Sequence, residues 1–158
     1  MHSRIIELGN APILPDDRMG ECSVPEWFYH SIADYTNAET DRDEDLKWFL
    51  EIVAHIVDVA EDGESFTFKP NAKKKSSHRQ YYAFLDKARE LTGISIEAFC
   101  AETPYDIGMA MYKLNEAYQD KFSFYIYYQD KLKTLDEWIR ETDLSESFYF
   151  GGTLDYHF

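Results

Sequence analysis

The chain has 158 residues, 44% of them hydrophobic and 29% charged, the size and balance of one globular domain that buries its own core. Its 16 Lys and Arg against 30 Asp and Glu give a formal net charge of -14, which excludes a surface that binds a phosphate backbone over most of its area. Aromatic residues at 16% exclude disorder, which needs low hydrophobicity as well as high charge.

Cys22 and Cys100 are isolated and form no CxxC, a usage that fits a reducing compartment. Met1 to Asn10 carries an early charge and no apolar signal core. The most apolar long stretch, Leu46 to Ala60, is interrupted by Lys47, Glu51, His55 and Asp58, so it is no membrane span. A cytoplasmic protein is expected. The charge is uneven along the chain. Residues 1–62 hold 15 acids and 4 bases, residues 63–92 hold 3 and 7, and residues 93–158 hold 12 and 5. Two acidic segments therefore flank one basic segment.

In chain order, Ser3 to Leu8 reads as a strand. Val24 to Tyr35 reads as a helix with Pro25 at its first position and Trp27, Phe28 and Ile32 on its apolar side. Thr40-Asp41-Arg42-Asp43 is a capping box, with Thr40 as N-cap, opening a long helix to Ala60 that stops at Gly63. Asp41, Asp43, Glu44 and Asp45 sit on its first turn, where the helix dipole favours acids. Ser65 to Lys69 alternates as a strand. Ser77-x-x-Gln80 opens a helix to Gly93, and Ser95 caps a short one over Ile96 to Ala101. Thr103-Pro104 starts another, with Ile107, Ala110, Met111, Leu114 and Tyr118 as its apolar face. Lys121 to Gln129 is a tyrosine-rich strand, and Thr134-x-x-Glu137 opens a last helix. Ser147 to Phe150 and Thr153 to Phe158 flank Gly151-Gly152, whose freedom at positive φ suits a type I′ hairpin turn. The expected fold is a single α+β domain over residues 1–158. It has an antiparallel or mixed sheet of about five strands packed against several helices, those helices lying on one face. The long helix and the Ile107–Tyr118 helix are expected to cover that face.

Catalytic and cofactor signatures are absent: no HExxH, no zinc-finger spacing, no GxSxG, no P-loop and no GxGxxG. No metal or cofactor is expected. His30 and Asp34 are four apart, as are Glu51 and His55, spacings that more often mark helix-surface pairs than metal ligands. Cys100, in an apolar turn, reads as a buried small hydrophobe. The tyrosine-rich strand would serve as a base-stacking platform only against the acidity of its own segment, so direct nucleic-acid binding is not expected.

Two charged groups remain. Lys73, Lys74, Lys75 and Arg79 form a basic cluster, expected in an exposed loop and suited to an anion. Asp16, Asp17, Glu21, Glu26, Asp34, Glu39, Asp41, Asp43, Glu44 and Asp45 crowd the N-terminal third, with Trp27 as an anchor for a partner. On a folded surface such acids imitate a row of phosphates. The expected function is therefore a non-enzymatic acidic interaction module that engages a protein partner's basic surface, in its sharpest form a phage or mobile-element inhibitor. One alternative is a small enzyme or ligand-binding protein with His30, Asp34, His55 or Cys100 in a cleft at the sheet edge. The other is a homodimeric structural or regulatory subunit that pairs through its tyrosine-rich strand or C-terminal hairpin.

Overall fold

The run Ile5-Ile6-Glu7-Leu8 shows no polar alternation, the pattern of a strand covered on both faces. A computed structural model of the protein, which describes residues 1–101 and 105–158, places it at the centre of a sheet. The chain divides into two compact units, Met1–Lys73 with Phe122–Phe158, and Lys74–Lys121.

The first unit is α+β. Its strands are β1 (His2–Gly9), β2 (Tyr35–Asn37), β3 (Val57–Val59), β4 (Ser65–Phe68), β5 (Tyr125–Tyr128), β6 (Lys131–Thr134) and β7 (Ser147–His157). The order is β3-β4-β7-β1-β5-β6, with β2 also paired to β7, so the sheet has seven strands rather than about five. It is mixed: β1 and β5 run parallel, with Ile5 opposite Tyr125, and the other pairs are antiparallel. β7 is the long central strand. β1 follows one of its sides, while β4 and then β2 occupy the other.

Helices cover both faces, not one. On the first face Ile6, Leu8, Ile126, Phe148 and Phe150 pack against α2 (Arg42–Val53) through Leu46, Phe49 and Val53, and against α6 (Leu135–Glu141) through Trp138 and Ile139. On the second, Ile5, Tyr125, Leu154 and Tyr156 are covered by the segment carrying Met19, Val24, Ala33 and, from α1 (Glu26–Ser31), Phe28.

Gly151-Gly152 is not a hairpin turn. β7 passes through both residues, and among the described glycines only Gly63 has a positive φ, 71°, in the β3–β4 connection. The register jumps from Ile6↔Thr153 to Leu8↔Phe150, so the two glycines together face the single residue Glu7. This is a β-bulge, and one extra residue reverses the alternation beyond it. Phe148 and Phe150 consequently point to the first face while Leu154 and Tyr156 point to the second. The type I′ geometry occurs elsewhere, at Gln129 (φ 50°) and Asp130 (φ 58°) between β5 and β6. Neither strand expected to offer a dimer edge is free, since β5 lies between β1 and β6 and β7 is paired on both sides.

Other boundaries move for local reasons. α2 starts one residue late, because Asp41 rather than Thr40 accepts the N–H groups of Asp43 and Glu44. It ends at Val53, and Val57–Val59 forms β3 against β4, a β-branched run whose apolar spacing had extended the helical stripe.

The second unit holds most of α3 (Ala72–Thr92), α4 (Ile96–Phe99) and α5 (Tyr105–Tyr118). Ser95 caps α4 as expected, its hydroxyl accepting the N–H of Ala98. The Thr103-Pro104 start signal lies outside the described residues. α5 belongs to the second unit, and none of its described residues is fully buried. No described helix is long and apolar enough to cross a membrane.

Candidate interaction surface

The acidic residues lie along one continuous piece of chain whose path is set by three anchors. Glu7, in β1, is buried, and its Oε2 accepts the backbone N–H groups of Met19 at 2.9 Å and Gly152 at 2.7 Å. Buried amides need an acceptor, and this carboxylate supplies it both to Gly152 in the bulge and to Met19 in the segment over the second face. It also explains the glycine: a Cβ on Gly151 would stand 2.6 Å from Glu7 Cγ and Cδ. Next along the chain, the Tyr29 hydroxyl meets Thr36 Oγ1 at 2.7 Å, and Ala38 N–H donates to Glu21 Oε1 at 3.1 Å, folding the segment back on itself. Last, Arg42 donates to the carbonyls of Gly151 and Phe150 and to Glu64, fixing the start of α2 over the bulge.

This path sorts the acids. Asp16, Asp17, Glu21 and Glu26 are exposed on the layer over the second face, together with Trp27, 46% exposed. Asp34 and Glu39 are exposed on either side of β2, at the sheet's margin. Asp41, Asp43 and Glu44 are exposed on the first turn of α2, which covers the opposite face. The set is thus a rim that bends around the β2 edge rather than a flat ridge. Asp45 leaves it. Only 3% exposed, Asp45 accepts from Arg4 and from the Thr153 hydroxyl, while Arg4 also pairs with Asp155 and lies over the Trp48 ring. A helical residue four positions from the N-cap points back along the axis toward the sheet, and here it meets the one arginine of β1.

The basic cluster is not a loop. Lys73, Lys74, Lys75 and Arg79 occupy the first turns of α3, which begins at Ala72 after Asn71 (φ 63°) instead of at Ser77. Lys73 donates to the Arg140 carbonyl at 3.1 Å within the first unit, whereas Lys74, Lys75 and Arg79 are exposed in the second.

Of the residues considered for catalysis, His30, Asp34 and His55 of the first unit take separate positions. His30 faces Glu26 at 3.4 Å, while Asp34 pairs with His157 at 3.1 Å. His55 is exposed between α2 and β3. Cys100 is exposed, contrary to the buried position expected for it. Among the described residues, no three His, Cys, Asp or Glu side chains are arranged to hold a metal ion. A cleft of about 620 Å³ lies beyond the carboxyl ends of the parallel pair β1 and β5, lined by Asn10, Tyr128, Lys131, Trp138 and Asp143 among others, and contains none of His30, Asp34, His55 or Cys100.

Local electrostatics are those of hydrogen-bonded surface groups. Burial first, then the bond to Asp130, raises Tyr127 above the ordinary phenol value. Bonds from the Ser145 backbone and side chain lower Asp143, and the Lys133 ammonium lowers Glu141.

Glu7 and the pairing of Arg4 with Asp45 and Asp155 were not singled out from sequence, which took Gly151-Gly152 for a turn and Asp45 for an exposed acid. A signal for the first existed: a charged residue inside an otherwise apolar, two-sided strand requires a buried partner. No known protein family, curated protein or solved structure matches the chain.

Proposed function

We propose that this protein is a non-catalytic acidic interaction module that occupies a basic surface of a partner protein through the rim Asp16–Glu44. One observation carries the reading, namely where the charge resides. The first unit holds 9 Lys and Arg against 23 Asp and Glu, and the second holds 7 of each, so the whole net charge of -14 belongs to the sheet unit. Helix capping alone does not require this. Asp41 serves as a cap, but Asp16, Asp17, Glu26 and Glu39 remain exposed acids on the same stretch. Carboxylates on a curved rim present acceptors where a nucleic-acid-binding protein expects phosphates, and inhibition by occupancy follows from that. Trp27, half exposed beside Glu26, supplies the aromatic anchor that interface energetics favour.

The test uses the full chain as bait against extract of the source cell, in parallel with an Asp16→Asn, Asp17→Asn, Glu21→Gln, Glu26→Gln variant. The expected result is a basic partner held by the native chain at low salt, released between about 50 and 200 mM salt, and lost from the variant. Binding that survives both salt and neutralisation overturns the reading.

A further inference from the structure

Two buried side-chain nitrogens, Arg18 Nε and Trp138 Nε1, meet no acceptor among the described residues. Arg18 is only partly buried and has other N–H groups on its guanidinium. Trp138 is 2% exposed, and its indole has a single N–H. A buried tryptophan usually places that N–H on a partner, and one that does not calls for an explanation. Trp138 also lines the cleft of about 620 Å³, where a residue so deeply buried forms part of the floor.

The cleft follows from the path of the chain. β1 and β5 are adjacent and parallel, and the chain leaves their carboxyl ends toward opposite faces. After β1 it runs to the layer carrying Met19, Val24 and Phe28 over the second face. After β5 it runs through β6 to α6 on the first. Parallel strands that part in this way open a crevice beyond their ends, the usual seat of a ligand in such sheets. Asn10 and Gln129, the first residues after the two strands, both line it. Its volume falls within the roughly 300–1,000 Å³ of small-molecule sites. The described residues that line it all belong to the first unit, and none belongs to the acidic rim.

The charges on its walls are of both signs. Lys133 is engaged by Glu141, and Asp143 accepts the Ser145 N–H at 3.0 Å. Lys131 and Glu146 also line the cleft, are exposed, and have no hydrogen bond or ion pair among the described residues. The half-buried Tyr128 ring adds an apolar surface. We infer that the cleft binds a free α-amino acid as its zwitterion. The carboxylate accepts from the Trp138 indole N–H and from Lys131, the ammonium donates to Glu146, and an apolar side chain lies against Tyr128. Charge selects this ligand over simpler ones. A phosphate or other bare anion meets the carboxylates of Asp143 and Glu146. A bare amine leaves Lys131 and the indole N–H unmatched. A zwitterion answers both, and each of its ends gains charge-assisted bonds.

A heteronuclear NMR titration of the full chain with L-phenylalanine, up to about 10 mM, tests this. The 3 tryptophans give 3 indole N–H signals, which Trp27→Phe and Trp48→Phe assign. The expected result is a saturable movement of the Trp138 signal, with those of Trp27 and Trp48 unmoved. Hydrocinnamate, which lacks the ammonium, and phenethylamine, which lacks the carboxylate, should each bind about tenfold more weakly or worse, the loss of one charged hydrogen bond. Lys131→Gln and Glu146→Gln, both at exposed positions, should weaken phenylalanine binding by a similar factor. A Trp138 signal that none of the three compounds moves overturns the inference and leaves the N–H to a bound water. Hydrocinnamate or phenethylamine binding as tightly as phenylalanine, or both variants binding it unchanged, also overturns it.

Discussion

Glu7 illustrates how much one side chain settles. Its carboxylate is buried and accepts two backbone N–H groups, and the space it needs is the space a side chain at position 151 would fill. Gly151→Ala should destabilise the protein by about 2–3 kcal/mol, the usual cost of overpacking a tight site. Glu7→Ala alone should also destabilise it, since two buried amides lose their acceptor at about 1–3 kcal/mol each. Combined, the two changes should cost less than their sum by at least about 1 kcal/mol, because removing the carboxylate makes room for the methyl group. Urea melts of the four proteins measure this. Strict additivity would mean that the carboxylate is not what excludes a side chain. The same glycines read as a hairpin turn in the sequence because a bulge and a turn both ask for flexible residues between alternating runs. Only the presence of one strand, β1, along both halves of β7 distinguishes them.

At the level of elements, capping chemistry was the most legible feature. Ser95 and Thr134 cap α4 and α6 where the sequence places them, because a cap depends on bonds to residues three positions away. Elements defined by distant partners were not legible in this way. β2, β3 and β6 are each three or four residues long and exist because β7, β4 and β5 lie beside them. The β5–β6 hairpin also yields a pH expectation. Tyr127 is held above the ordinary phenol value by burial and by its O–H bond to Asp130. Near pH 10, where an unfolded tyrosine begins to ionise, the folded chain keeps this proton and binds more protons than the unfolded one. Stability therefore falls as pH rises through that range. Denaturant melts at pH 8 and pH 10.5 should show a smaller loss for Tyr127→Phe than for the native chain. An equal loss would assign the alkaline sensitivity to other groups.

On the scale of the whole molecule, net charge is segregated: all of the -14 belongs to the sheet unit, while the helical unit balances 7 bases with 7 acids. Salt should consequently loosen the acidic rim from a basic partner. The sheet unit also repels itself. Its melting temperature should rise between about 20 and 200 mM salt, within the Debye screening range, and differential scanning calorimetry would detect it. A flat response would indicate that repulsion among the 23 acids of that unit contributes little to its stability.

By itself the sequence determined the α+β class, the helix caps at Ser95 and Thr134, a strand at Ser3–Leu8 and the density of acids between Asp16 and Asp45. These are properties of short windows, in which periodicity and neighbouring side chains carry the information. The tertiary structure alone decided that Gly151-Gly152 is a bulge, that Asp45 turns inward to Arg4, and that helices cover both faces of the sheet. It also decided that the acids bend around the β2 edge. Each of those outcomes depends on residues more than thirty positions away in the chain, whose proximity no local pattern encodes.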